Sequence, residues 1–326
     1  MKVLSLFTGI GAFEKALQNL NISYELAGFS EIDKYAIKSY CAIHNVDEKL
    51  NLGDITQIDI NKLPTDIDLI THGSPCQDFS IAGKQAGGDL GTGTRSSLMW
   101  NTINIVTYCK PKYVIWENVK NLLSKKHIHN FENYIITMAA LGYNSYYEVL
   151  NAKDYGIPQN RERIYTISIR KDIDNKQFIF PNKEELKLKL KDMLEIEVDE
   201  KYYLSEEITK TFKFNERNNT NIIGYLKIDK WQDHMKRIYN IEKYAPTIST
   251  MQGGNLEPKI LLENNRIRKL TPKECWRLMG FSDEDFEKTK AAGISNSQLY
   301  KQAGNSIVVN LIEKIFLNLI NKGDKL

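Results

Sequence analysis

The chain has 326 residues, 42% of them apolar and 26% charged, with a net charge of +3, the composition of a globular protein with a full core in one large domain or two ordinary ones. No run approaches the roughly 18 consecutive apolar residues of a membrane span, so no membrane association is expected. Four cysteines, at 41, 76, 109 and 275, are widely spaced with no CxxC pair, which argues against a disulfide framework or a structural zinc site and for a reducing, cytoplasmic setting.

The first 180 residues alternate short β-branched runs with helical stretches. "VLSLF" (3–7) reads as a first strand, and its apolar stretch is too brief for a signal peptide. "YELAGFS" (24–30), "IDLIT" (67–71), "YVIWE" (113–117) and "RIYTISI" (163–169) follow, with "AFEKALQNL" and "KYAIKSYCAIH" as helices between the early ones. This alternation predicts βαβ units and a doubly wound, mostly parallel α/β sheet over 1–180, rejoined by 302–326. Residues 181–301 are expected to form a second, smaller mixed domain, irregular and rich in lysine and asparagine to about 267. At "RKLTPKECWRLMGF" (268–281), Thr271-Pro272 opens a helix and Gly280 closes it. "NSIVVNLIEKIFLNLI" closes the chain as an amphipathic helix. Residues 182–209 hold five lysines against nine acids, whereas 210–273 hold thirteen basic residues against six acids. A basic segment in a nearly neutral chain suggests a polyanion bound at one place.

Ligands of open α/β sheets sit at the carboxyl ends of the parallel strands. "FTGIGAF" follows the first strand, "SEID" the second, and "GDI" stands at 53–55. "GSPCQ" and "ENV" (117–119) follow the next two runs, and "QNRER" (159–163) leads into a later strand. A glycine loop, three acids, a cysteine and an arginine pair are thus predicted at one edge. Gly9-x-Gly11 lets a cofactor approach the backbone, and Glu31, at the end of strand two, is where an acid holds ribose hydroxyls. The third glycine of the dinucleotide fingerprint is missing, which favours a nucleoside cofactor without pyrophosphate such as S-adenosylmethionine. Asp54 reads either as a partner for an adenine amino group or as a solvated turn acid. No His/Cys cluster with ligand spacing exists, so no metal is expected.

Cys76, by itself, reads first as a small buried hydrophobe. Beside Glu117 and Arg163 it reads differently. A thiolate that attacks C6 of a pyrimidine makes C5 nucleophilic enough to take a methyl group, while a carboxyl protonates the ring and a guanidinium holds developing charge. Trp100 and Trp116 read as core; His72, His127 and His129 as surface or locally satisfied; "KLKLK" (187–191) as a solvated face.

These blocks resemble, in order and over almost the whole chain, those of the DNA (cytosine-5) methyltransferase family. "LSLFTGIGAFEKAL", "SEIDKYA" and "GDI" are similar to its cofactor loop, ribose-binding segment and adenine turn. "GSPCQDFS", "ENV" and "QNRERIY" resemble its Pro-Cys-Gln, cytosine-binding and Gln-x-Arg-x-Arg motifs. "RKLTPKECWRLMGF" and "QAGNSIVV" match the carboxyl-terminal blocks. Residues 182–267 match no block, and there the family varies because that region reads DNA. The resemblance implies that Cys76 is the nucleophile on C6 of a flipped-out cytosine in double-stranded DNA. Glu117 contacts the ring, and Arg163, with Arg161 and Gln159 in support, holds the base. It further implies a cofactor pocket of Phe7, Thr8, Gly9, Gly11, Glu31, Ile32, Asp54, Ile55, Pro75, Asn305 and Ser306. Residues 80–98, with five glycines, resemble a mobile loop that closes over DNA, in which Arg95 meets phosphate.

In the variable region, Arg237 followed by Thr247 and Ile248 resembles a recognition core, with Arg237 reading guanine or, alternatively, meeting phosphate. A monomer is expected, of bacterial or phage type, with or without a cognate restriction endonuclease acting separately. An RNA cytosine-5 methyltransferase of the same fold is the alternative function. The Cys-Phe-Thr signature of the family's transfer-RNA branch is missing. A binding-only relative would lack the Pro-Cys or the Glu, and a nicotinamide enzyme leaves Cys76, Glu117 and Arg163 unexplained.

Overall fold

Val3, Leu4, Leu69, Ile70, Val114 and Ile115 have no exposed surface, as strands covered on both faces of a parallel sheet require. The computed structural model describes residues 1–75, 95–215, 221–251 and 255–322. It falls into two compact units, 1–150 with 162–182 and 312–326, and 151–161 with 183–311. Beside the expected division at 180/181 and 301/302, residues 151–161 and 302–311 group with the second unit.

The first unit runs β1 (Lys2–Leu6), α1 (Ala12–Asn19), β2 (Glu25–Ser30), α2 (Lys34–His44), β3 (Leu69–His72), α3 (Met99–Cys109), β4 (Tyr113–Val119), α4 (Ile128–Ala140), β5 (Tyr143–Asn151) and β6 (Glu162–Arg170). The strands form one sheet in the order β2-β1-β3-β4-β6-β5. β2, β1, β3 and β4 are parallel, and β6 runs antiparallel to β4. The doubly wound α/β class is therefore observed, with the chain reversing direction across the sheet at β1. All five predicted runs are strands; β5 is an additional one, whose polar, largely unburied sequence YNSYYEVLN lacks a regular apolar alternation. The reversal of β6 matters for the site. A segment that precedes a parallel strand lies at the wrong edge, whereas the reversed β6 brings Arg163 opposite Val119, beside the carboxyl end of β4. Met99, Ile103, Val106, Phe131, Tyr134 and Met138 of α3 and α4 pack on Leu4, Leu6, Ile70 and Trp116.

The second unit carries α5 (Glu206–Thr209), β7 (Phe212–Phe214), β8 (Ile222–Leu226), α6 (Asp233–Lys236), β9 (Arg237–Tyr239), β10 (Lys259–Leu261) and β11 (Ile267–Lys269), then α7 (Pro272–Arg277), α8 (Asp283–Ala291) and α9 (Asn296–Asn305). Helix α10 (Val309–Lys322) leads back into the first unit. Strands of three to five residues form a sheet ordered β11-β10-β9-β8-β7 over Leu226, Ile238 and Ile267. Helix α7 starts as predicted: Thr271 caps it, Pro272 fills its first position, and Glu274 closes the capping box. Glu274 is also the centre of a buried ion pair, 2.6 and 2.9 Å from the Arg268 guanidinium, with neither side chain above 2% exposure. The stretch Asn296–Ile320 has the average apolarity of a membrane span, but it breaks between α9 and α10. Leu299, Val309, Leu311, Ile312, Ile315 and Phe316 along it are buried in the protein, the pattern of core helices.

Candidate active site

Strand β1 delivers the chain to Phe7 (φ 54°), Gly9 (φ 56°) and Gly11 (φ 79°), a left-handed run that turns it sharply into α1. Glycine is required at 11, where a Cβ would lie 2.2 Å from His44 Nε2. That buried ring nitrogen donates to the Ile10 carbonyl at 3.0 Å and supports the loop from below. Glu31 supports it from the side: one carboxylate oxygen accepts from Gly9 N (2.8 Å), the other from Ile32 N (2.8 Å) and Asp33 N (2.9 Å). Asn51 joins the next turn, its side-chain oxygen accepting from Glu31 N and Gly53 N, each at 3.1 Å. Asp54 is exposed and caps a short 3-10 turn through Thr56, while Ile55 is buried in the core beside partly buried Phe7. Ile32 is 72% exposed. Among the described residues the buried Thr8 hydroxyl has no hydrogen-bond partner, and a Cβ at Gly9 or Gly53 would meet nothing within 4 Å. Open space and an unsatisfied hydroxyl beside an acid are what a ribose-bearing cofactor needs. The residues brought together are thus Phe7, Thr8, Gly9, Gly11, Glu31, Ile32, Asp54 and Ile55. His44 and Asn51 escaped the sequence reading, because only the fold carries them under the loop.

At the end of β4, Glu117 Oε1 lies 3.1 Å from Arg163 Nε, both side chains largely buried. The next residue, Asn118, reaches across to β3: its amide donates to the Ser74 carbonyl at 3.3 Å, and Trp116 Nε1 donates to Ser74 Oγ at 3.0 Å. Half-buried Pro75 follows. Cys76 and residues to 94 lie outside the described residues, and so does most of the expected loop 80–98; Arg95 stands at the first position of a 3-10 turn to Leu98. The "ENV" block therefore does two things: Glu117 faces Arg163, and Asn118 with Trp116 fixes the residue two before the cysteine. Beneath them His72 is wholly buried, stacked on Trp116 and paired with Tyr134 at 3.3 Å. Burial pulls it down to about 3, so it is a neutral core histidine, not a surface one. The same physics shifts the three described thiols away from the thiolate form. Burial pushes Cys109 up to about 11, Cys275 well above the ordinary range and Cys41 upward, and only a thiolate is a strong nucleophile.

The remaining site residues belong to the second unit, and three of them differ from expectation. Arg161 is 3% exposed and donates to the carbonyls of Ile248 (2.9 Å), Gly304 (3.0 Å) and Ser306 (2.7 Å). Gln159 is fully buried, accepts from Ile248 N (2.9 Å) and donates to Leu278 O (2.7 Å). Both were expected among the catalytic groups, in support of Arg163; their side chains are spent on backbone, so the support they give is positional, fastening three segments together. Ile248, expected at the DNA, has no exposed surface and is an anchor held by that pair. Thr247 is exposed, its hydroxyl donating to Asn160 O at 2.6 Å. Ser306 is buried and Asn305 exposed at the end of α9. Gly304 permits this hub, since a Cβ there would lie 2.3 Å from the Ser249 backbone. Arg237 opens β9, half-buried and hydrogen-bonded to the Tyr239 hydroxyl.

A reversed β6 beside parallel β4, with a glycine loop and ribose-type acid on the preceding strands, defines a class I α/β methyltransferase fold. The C-5 cytosine-specific DNA methylase family matches residues 1–321, and the chain belongs to that family. It is 38% identical to the orphan methyltransferase M.SPBetaI of Bacillus phage SPbeta over an alignment of 434 residues covering 98% of each chain. It is likewise 38% identical to the type II methyltransferase M.HhaI of Haemophilus parahaemolyticus over 323 residues, covering 98% of this chain and 94% of that one. Among solved structures, the S. pombe Dnmt2 methyltransferase superposes with a TM-score of 0.70 at 20% identity, covering 98% of both chains.

Proposed function

We propose that the protein methylates carbon 5 of a cytosine within a specific short sequence of double-stranded DNA, with S-adenosylmethionine as methyl donor. The observation that carries this reading is the Glu117–Arg163 pair at 3.1 Å, flanked along its strand by Trp116 and Asn118, both of which donate to Ser74, two residues before Cys76 in the sequence. The cofactor is held by the Phe7–Gly11 loop with Thr8, by Glu31 and Ile32, and by Asp54 and Ile55; it supplies a methyl group on a positively charged sulfur. The target base must leave the helix, because its C5 and C6 are out of reach within the stack. The Cys76 thiolate then adds to C6, Glu117 hydrogen-bonds the ring at N3, and Arg163 holds Glu117 and the base in register. Once C5 carries the methyl group its proton passes to a water molecule, and the electrons of that C–H bond reform the C5–C6 double bond and expel the Cys76 thiolate from C6. Arg95 meets phosphate, and Arg237 and Thr247 contribute to the choice of site.

Incubating the protein with labelled S-adenosylmethionine and either duplex DNA or RNA tests the reading: label is expected in the duplex. Label confined to RNA would establish the RNA enzyme instead. A duplex with 5-fluorocytosine at the target is expected to trap the wild type as a denaturation-resistant adduct, because fluorine cannot leave as a proton does. Cys76→Ser is expected to trap none, and an equal yield of adduct from that variant would remove Cys76 as nucleophile.

A further inference from the structure

A lysine is among the residues least often buried, since removing an ammonium from water is costly unless it is paired. Lys259, the first residue of β10, is 1% exposed. Its Nζ donates to the carbonyls of Asn255 (2.7 Å) and Glu257 (3.0 Å) and stands 5.1 Å from the centre of the Trp231 ring. On the strand side, β10 pairs in parallel with β9, Lys259 opposite Ile238, the neighbour of Arg237. Asn255 is in the left-handed region at φ 66°, a strained turn whose carbonyl the ammonium holds. Glu257, whose carbonyl is the second acceptor, is fixed through its carboxylate to Lys269 at 3.3 Å. Two chain segments therefore meet at one nitrogen, the approach to Arg237 through Trp231 and the stretch Asn255–Glu257, while the Lys259 backbone is in register with the Arg237 strand.

We infer that Lys259 is a positioning residue for sequence choice, tying the strand that carries Arg237 to the stretch Asn255–Glu257. This rests on the functional reading above, in which the second unit contributes to reading DNA. Packing alone does not call for an ammonium, because methionine has similar length and avoids burying charge. What the ammonium adds is direction: two carbonyls of a short turn are drawn to one point, while the indole face holds the cation from the other side. Burial pulls the Lys259 ammonium down to about 8, with Glu257 opposing and Lys269 assisting that fall, so it keeps its charge at neutral pH.

The test is selectivity. Bisulfite sequencing of a plasmid methylated by the wild type identifies its site, and initial rates are then measured on duplexes with that site and with each single-base change. Lys259→Met is expected to lower the ratio of correct to altered site by about tenfold, the scale of one lost base contact. The KM for S-adenosylmethionine is expected to stay within about twofold, as no proposed cofactor contact is touched. Lys259→Gln, which keeps an N–H donor, should recover part of the ratio. Trp231→Leu should lower it in the same direction, and it serves if Lys259→Met does not fold. An unchanged ratio in Lys259→Met and Trp231→Leu overturns the inference. So does an equal fall in rate on every duplex together with a risen cofactor KM, the mark of general damage. A wild type that methylates no duplex defeats the functional reading instead, before any variant is made.

Discussion

Arg161 and Arg163 stand two residues apart in one motif and serve different regions of the molecule. Arg163 is the second residue of β6, at the carboxyl edge of the parallel strands, its guanidinium on Glu117. Arg161 belongs to the second unit, its guanidinium spent on the carbonyls of Ile248, Gly304 and Ser306. The first region is a row of strand ends, each presenting one or two polar groups from a rigid, buried support. The second has strands too short to be rigid alone, and it is held by buried charged side chains that gather backbone from distant parts of the chain. The lesson is that spacing within a motif does not assign a residue to chemistry or to scaffold. The partner at the end of its side chain does.

The contrast predicts opposite signatures on mutation. The largest effect is expected at Glu117→Gln: kcat should fall by about 10²–10⁴-fold, the usual worth of a positioned acid or base, with the thermal midpoint nearly unmoved. A stable variant with ordinary turnover would take Glu117 out of the chemistry. Next comes Arg268→Met in the second unit. It leaves the Glu274 carboxylate buried without its ion partner and should cost about 3–5 kcal/mol in denaturant unfolding. Replacing both members of that pair with apolar residues should recover much of the loss.

Arg161→Ala should be destabilising by about 2–3 kcal/mol, since charge-assisted bonds to three buried carbonyls are lost together. Arg163→Ala leaves largely buried Glu117 without its ion partner and should also cost stability, but in folded protein it should lower kcat far more than Arg161→Ala does; equal kcat losses for these two variants would erase the distinction drawn between them. Asn118→Leu removes the amide donor to Ser74 at nearly constant size and without burying a charge. About a tenfold fall in kcat is expected, corresponding to one lost hydrogen bond, while calorimetric binding of S-adenosylmethionine stays as it was. The smallest effect is expected at Cys41→Ala, where turnover should remain within about twofold of wild type. A large loss there would mean that burial does not silence this thiol.

Local pattern was enough to reveal the five predicted strands, the cap at Thr271, the glycine loop and the acid at the end of β2. Each depends on a few consecutive residues and on a period of two or 3.6, which a sequence displays directly. The resemblance of ordered blocks brought Cys76, Glu117 and Arg163 into one reading. Long-range pairing was not written in any such pattern. The direction of β6 follows from how the chain returns after β5, and it alone explains how a motif preceding a strand reaches the same edge as motifs that follow strands. His44 beneath Ile10, Asn51 beside Glu31 and Asn118 on Ser74 are hydrogen bonds between residues far apart in sequence, fixed by packing rather than by neighbours. Ile248 looked like a reader because its block resembles one. The tertiary structure buried its side chain and gave its backbone to Gln159 and Arg161, because buried backbone polar groups must find partners wherever the fold supplies them.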